Sequence, residues 1–184
     1  MRCRSLSMVL SLVITAAPTL SVLAQGSDAS IGAFVSMPSA SGAARLAGLG
    51  LTLAGRPGFA FRATGRIALK TTNTRTVGSE TRTRPWGADL DAVFALSGRP
   101  FGSYNRSIAT FAFVGIGASA IDTLVERVID KSWSYGLGTL IPLGSALDVF
   151  AESRWRISEF VLPTAKPKPT RMKDWRFGMS LHLR

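Results

Sequence analysis

Apolar and polar residues alternate along most of this chain with a period of two, the spacing of side chains on a half-exposed β-strand. Ile31, Ala33, Val35 and Met37 form one row, with Gly32, Phe34 and Ser36 between them. A second row, Ala47, Leu49, Leu51 and Leu53, opposes Gly48, Gly50 and Thr52, and Ala54-Gly55-Arg56-Pro57-Gly58 then reads as a tight turn. The third segment sets Phe59, Phe61, Ala63, Gly65, Ile67 and Leu69 against Ala60, Arg62, Thr64, Arg66, Ala68 and Lys70. In the fourth, Trp86, Ala88, Leu90, Ala92, Phe94 and Leu96 oppose Gly87, Asp89, Asp91, Val93, Ala95 and Ser97. Ile108 to Ser119 is apolar on both parities, so a strand is predicted there without a facing. The sixth places Trp133, Tyr135, Leu137, Thr139 and Ile141 against Ser134, Gly136, Gly138 and Leu140, and Pro142-Leu143-Gly144-Ser145 turns the chain. Leu147, Val149, Ala151, Ser153, Trp155 and Ile157 then oppose Asp148, Phe150, Glu152, Arg154, Arg156 and Ser158. The eighth sets Trp175, Phe177, Met179, Leu181 and Leu183 against Arg176, Gly178, Ser180, His182 and Arg184.

Eight such segments predict an all-β fold, an eight-stranded antiparallel up-and-down transmembrane β-barrel. The connections carry a second regularity. Long polar links run from Pro38 to Arg45, Thr71 to Pro85, Ala120 to Lys131 and Glu159 to Lys173, whereas Ala54 to Gly58 and Pro142 to Ser145 are short. Short periplasmic turns alternating with longer outer loops are the pattern of an outer-membrane barrel with both termini periplasmic. Trp86, Trp133, Tyr135, Trp155 and Trp175 fall near strand ends, where an interfacial aromatic girdle belongs. A lipocalin-like soluble barrel would turn the same apolar rows inward around a ligand. Lipid outside is favoured because the polar face is rich in Gly, Ser, Ala and Thr, carries charges of both signs, and faces apolar rows that run nearly to the C-terminus.

The N-terminus supplies the compartment. Arg2 and Arg4 precede an apolar stretch from Met8 to Leu23, and Val22-Leu23-Ala24 offers small residues at a cleavage site, so residues 1–24 read as a signal peptide and residues 25–184 as one barrel domain. The single cysteine, Cys3, lies in the segment to be removed, which leaves the mature chain without thiol chemistry. Removing Arg2 and Arg4 leaves 20 basic against 11 acidic residues, a net of +9 that draws anionic partners. Export argues against nucleic acid. The partners expected are outer-membrane lipid and lipopolysaccharide, with a monomeric barrel.

The plan resembles small outer-membrane β-barrel proteins related to the transmembrane domains of the OmpA and OmpX type. Phe113-Val114-Gly115-Ile116-Gly117 and the stretch from Gly136-Leu137-Gly138 through Pro142-Leu143-Gly144 to Phe150-Ala151-Glu152-Ser153-Arg154-Trp155-Arg156 carry the resemblance. It implies the outer-membrane assembly machinery as a partner. Members commonly end in an aromatic residue which that machinery recognises, whereas this chain ends Leu181-His182-Leu183-Arg184.

A barrel of eight strands encloses little more than its own side chains. Arg62, Arg66, Lys70, Asp89, Asp91, Asp148, Glu152, Arg154, Arg156, Arg176 and Arg184 would meet inside, and charges there must pair. Arg66 with Asp91, and Glu152 with Arg176, are the pairings expected from adjacent strands. Such a network reads as structural, a narrow porin-like channel with a gated ion path being the functional alternative. Asp89 and Asp91 share a face simply because they are two residues apart on a strand. Ser180 and His182 suggest a lipid A deacylase-like hydrolase, but no acidic residue is seen at a matching position, and a lone His gives no metal cluster. No cofactor and no catalysis are therefore expected. The long links hold Arg75, Arg82, Arg84, Arg127, Lys131, Lys166, Lys168, Arg171 and Lys173 against Glu80, Asp122, Glu126, Asp130 and Glu159, nine basic residues to five acidic. That rim suits lipopolysaccharide phosphates or an anionic surface polymer.

Overall fold

The computed structural model describes residues 29–39, 44–56, 58–70, 72–76, 79–97, 108–122, 127–160 and 168–183. The proposed signal peptide lies outside them. Among the described residues nine strands run antiparallel: β1 (Ala29–Pro38), β2 (Leu46–Arg56), β3 (Phe59–Ala68), β4 (Thr72–Thr76), β5 (Ser79–Ser97), β6 (Ala109–Asp122), β7 (Arg127–Pro142), β8 (Leu147–Phe160) and β9 (Lys168–Leu183). Each pairs with its neighbour in sequence except that β3 pairs with β5, past β4, and β1 pairs with β9 to close the barrel. Eight strands thus form a closed up-and-down barrel. The ninth, β4, pairs only with the first part of β5, through Thr72 opposite Thr83 to Thr76 opposite Ser79.

That small ribbon corrects one expectation. The link from Thr71 to Pro85 is not a structureless loop; threonines at alternate positions, β-branched and polar, pair as strand. The other long links shorten in the same way, since β6 and β7 pair out to Asp122 and Arg127, and β8 and β9 out to Phe160 and Lys168. Sixteen residues of β7 rise roughly 50 Å along the strand, whereas about ten residues cross a bilayer. The outer parts of these strands therefore project past the membrane.

The turns follow local chemistry. Gly58 adopts a positive φ of 82° between β2 and β3, and Gly144 one of 136° between β7 and β8, conformations that a residue with a Cβ rarely takes. At the second turn the Leu143 amide donates to the Leu147 carbonyl at 2.8 Å.

Facing agrees with the parity read from sequence in all seven segments where parity was informative. Leu49, Phe61, Leu90, Phe94, Leu137, Met179 and Leu181 point outward and are at least two-fifths exposed. The inward positions 62, 64, 66, 89, 91, 152, 154, 156 and 176 are screened or fully buried. In β6 the structure supplies the missing facing: Phe111 and Phe113 are buried inside, while Val114 and Ile116 look outward. Their partners decide this. Phe111 lies opposite Gly138 and Phe113 opposite Gly136, and a Cβ on either glycine would collide with the phenyl ring. The inner rings occupy space that only glycine leaves open.

A barrel with its hydrophobes outside is the inverse of a soluble one, and Ile116, 66% exposed, tests the inversion. Ile116→Arg should destabilise the barrel by about 2–4 kcal/mol in lipid vesicles, measured by urea unfolding, because an arginine near the bilayer midplane loses its hydration. A soluble barrel would tolerate it without measurable loss.

Candidate functional site: the charged lumen

The clustered inward charges come from four strands, with Asp130 on β7 a further inward carboxylate nearer the outer end. β3 supplies Arg62 and Arg66, β5 Asp89 and Asp91, β8 Asp148, Glu152, Arg154 and Arg156, and β9 Asp174 and Arg176. The alternation of each strand brings them to one surface, and barrel closure brings the four surfaces together.

Two carboxylates organise the cluster. Asp91 accepts from Arg154 through both oxygens, at 3.0 and 2.6 Å, and from Arg62 at 3.0 and 3.1 Å. Arg154 and Asp91 have no measurable exposure. Asp89 gathers Arg66, Arg156 at 3.1 Å and Arg176 at 2.8 Å. Glu152 ties the two halves, accepting from Arg62 across the lumen at 2.7 Å and lying 3.5 Å from Arg176 and from Arg154. Hydroxyls complete the layer, Ser134 on Arg154 at 2.8 Å and Ser119 on Arg66 at 2.7 Å. Above and below the guanidinium planes lie phenyl rings: Arg154 stands 4.4 Å from the Phe113 centroid, Arg62 5.1 Å from it, and Arg176 4.8 Å from that of Phe34. Planar, bidentate and weakly hydrated, guanidinium fits this environment better than an ammonium.

The register revises one expected pairing and bears on another. Thr64 faces Asp89 and Arg62 faces Asp91, so Arg66 reaches Asp89 and the expected Arg66–Asp91 pair does not form. Counting from the wrong partner displaced that pair by two residues. Glu152 and Arg176 are register partners. Lys70 lies exposed beyond the end of β3 and joins no inward cluster. Arg184 lies outside the described residues.

Asp148 belongs to a different place. Its Oδ2 is 2.5 Å from His182 Nε2, near the end where the chain finishes, and Ser180 is its register partner on β9. The expectation that no acid stands near Ser180 and His182 is therefore overturned. Sequence spacing could not show it, because Asp148 is 32 residues from Ser180 and is brought there by the β7–β8 turn and the β8–β9 register. His182, Asp148 and Ser180 line a chamber of about 40 Å³ together with Phe150, Glu152 and Arg176. That volume holds roughly three waters. An acyl substrate does not fit it, and strand pairing already occupies the backbone amides an oxyanion hole would need. A lipocalin ligand would require at least about 300 Å³. Among the described residues no group of three His, Cys, Asp or Glu side chains could hold a metal ion.

This arrangement, an up-and-down barrel of eight strands with an apolar wall and a packed charged interior, is the fold of small outer-membrane barrels of the OmpA and OmpX type. Solved structures of that class match along nearly their whole length. The N-terminal barrel domain of Pseudomonas aeruginosa OprF has 12% identity and a TM-score of 0.59, with 85% of this chain and 97% of that one covered. A major outer membrane protein from Thermus thermophilus gives 11% and 0.56, covering 85% and 99%. Ail, the attachment invasion locus protein of Yersinia pestis, gives 13% and 0.51 over 85% and 97%. No protein-family model and no curated protein sequence matches the chain.

Because Asp91 neutralises two guanidiniums in a fully buried position, Asp91→Asn should cost about 3–5 kcal/mol, read from the urea midpoint in vesicles. Thr52→Asn, at the edge of the small chamber, should cost under about 1 kcal/mol in the same assay. Equal costs would show that the charged layer does not hold the barrel together.

Proposed function

We propose that the protein is an exported, monomeric outer-membrane barrel with a structural role, closed to solutes and without catalytic activity. One observation carries this reading: the Asp91–Arg154 pair spans the lumen with both groups fully buried, so the barrel is filled at mid-height by its own side chains. A conducting path needs water around its charges. Here each inward arginine is within ion-pair distance of a carboxylate. The apolar wall and the class of fold support location in the outer membrane, after removal of residues 1–24 and insertion by the assembly machinery.

Planar-bilayer recording of the purified protein should show no discrete conductance steps. Steps whose size changes on Glu152→Lys would overturn the reading in favour of a gated path.

A second role, compatible with the first, is contact with an anionic polymer at the outer end. The excess of basic residues in the outer links favours it, and Ail, of the same fold, has a structure in complex with the heparin analogue sucrose octasulfate. Retention on immobilised heparin should fall to background when Arg75, Arg82 and Arg84 are changed to Gln together. Retention unchanged by those substitutions would remove this role.

A further inference from the structure

The outward face of β5 to β9 is not uniformly greasy. On its outer half the rings of Trp133, Tyr135 and Trp155 stack across β7 and β8, with centroids 5.6 and 5.8 Å apart. Lys173, the register partner of Trp155, continues the row: its Nζ stands 5.0 Å from the Trp155 centroid and 4.6 Å from that of Trp175. An ammonium is thus held between two indoles on a wall whose next outward residues are Phe177, Met179 and Leu181. Arg171 lies exposed two residues further out on β9, and Lys131 exposed on β7. Every inward arginine lies within ion-pair distance of a carboxylate, whereas Lys173 is held against aromatic rings and Arg171 and Lys131 stand exposed at the rim.

Beside the aromatic row runs a shallow, open groove. Ala88 and Ala118 are register partners, and their methyl groups leave a depression bounded by Leu90, Ile116, Trp133 and Ile157, with Lys131 at its rim. Small residues flanked by large ones make a slot of the kind that takes a hydrocarbon chain. Its rim lies at the level of the aromatic girdle, where headgroups begin. Cations occur at two positions, Lys131 on β7 and Arg171 with Lys173 on β9, separated by two strand spacings across the sheet and by two to four residues along it, roughly 12–16 Å in all.

We infer that this wall is a binding site for lipopolysaccharide, one acyl chain lying in the Ala88–Ala118 groove and its phosphates resting on Lys131 and on the Arg171–Lys173 pair. Two separated cation positions match a glycolipid carrying two phosphates better than a phospholipid carrying one. The inference rests on the proposed outer-membrane location, but it concerns the outer wall and not the lumen.

Native mass spectrometry of the full chain in mild detergent tests it, with deep-rough lipopolysaccharide, the same lipid dephosphorylated, and phosphatidylglycerol as probes. The phosphorylated glycolipid should be retained at least ten-fold better than either of the others. Retention should fall by at least ten-fold in the Lys131→Gln/Arg171→Gln/Lys173→Gln protein and in Ala118→Leu, which fills the groove while pointing away from the lumen. Both variants should keep heat-modifiable gel mobility, the sign of an intact barrel; if the triple variant does not fold, Lys173→Gln alone takes its place. Equal retention of the dephosphorylated lipid, equal retention of phosphatidylglycerol, or undiminished retention by the folded variants would overturn the site. Bilayer conductance of the same preparation reports on the lumen alone, so the closed-barrel reading and the lipid site stand or fall separately.

Discussion

Everything in this barrel is arranged around the cost of keeping charges in a space with room for very little water. Closing eight strands satisfies the backbone, and in lipid no open sheet could do so. The closure also fixes an interior that side chains alone must fill. Asp89, Asp91 and Glu152 enter it with arginines as bidentate or shared pairs, since leaving one partner alone exposes the other to an uncompensated desolvation penalty. Asp89 and Asp91 each meet two or three guanidiniums, and aromatic faces take up contacts that hydrogen bonds leave open. Glycines at the facing register positions supply the volume: Gly115 lies against Asp91, Gly117 against Asp89, and Gly136 and Gly138 under the phenyl rings.

Much of this was legible in the chain. The number of barrel strands, the inward and outward rows, and most of the lumen charges follow from period two, because a one-residue error would exchange the two faces entirely. Asp174, one residue before the eighth alternating segment begins, escapes that reading, and Lys70, which it wrongly includes, is exposed. Four things did not follow. The facing of β6 was hidden because Phe111, Phe113, Val114 and Ile116 are all hydrophobic; the glycines Gly136 and Gly138 on the next strand hold the clue, but only once the register is known. The Arg62–Asp91 and Arg66–Asp89 pairs needed that same register, which turn length and strand extension set. The meeting of Asp148 with His182 depended on two strand pairings at once. Composition likewise marked Thr71 to Pro85 as a loop, although its threonines pair as strand.

The two surfaces of the barrel solve opposite problems with the same residue type. Inside, arginine is neutralised by protein carboxylates and its role ends there. Outside, Lys131 and Arg171 stand exposed and Lys173 lies against two indoles along a row of aromatic rings, the face proposed above for an anionic lipid. The first arrangement fills the lumen with paired charges. The second gathers unburied cations at the rim.

The distribution of the buried charges has a bearing on how such a protein enters a bilayer. β3 carries Arg62 and Arg66 and its partner β5 carries Asp89 and Asp91; β8 and β9 together carry Arg154, Arg156 and Arg176 with Asp148, Glu152 and Asp174. Each of these antiparallel pairs sums to zero. The inward rows of β1 and β2, from Ser30 to Ser36 and from Gly48 to Ala54, carry no charge at all. Each pair thus presents no net inward charge of its own, and the bonds from Arg154 to Asp91, from Arg62 to Glu152 and from Arg156 and Arg176 to Asp89 join one neutral pair to the other only across the closed ring.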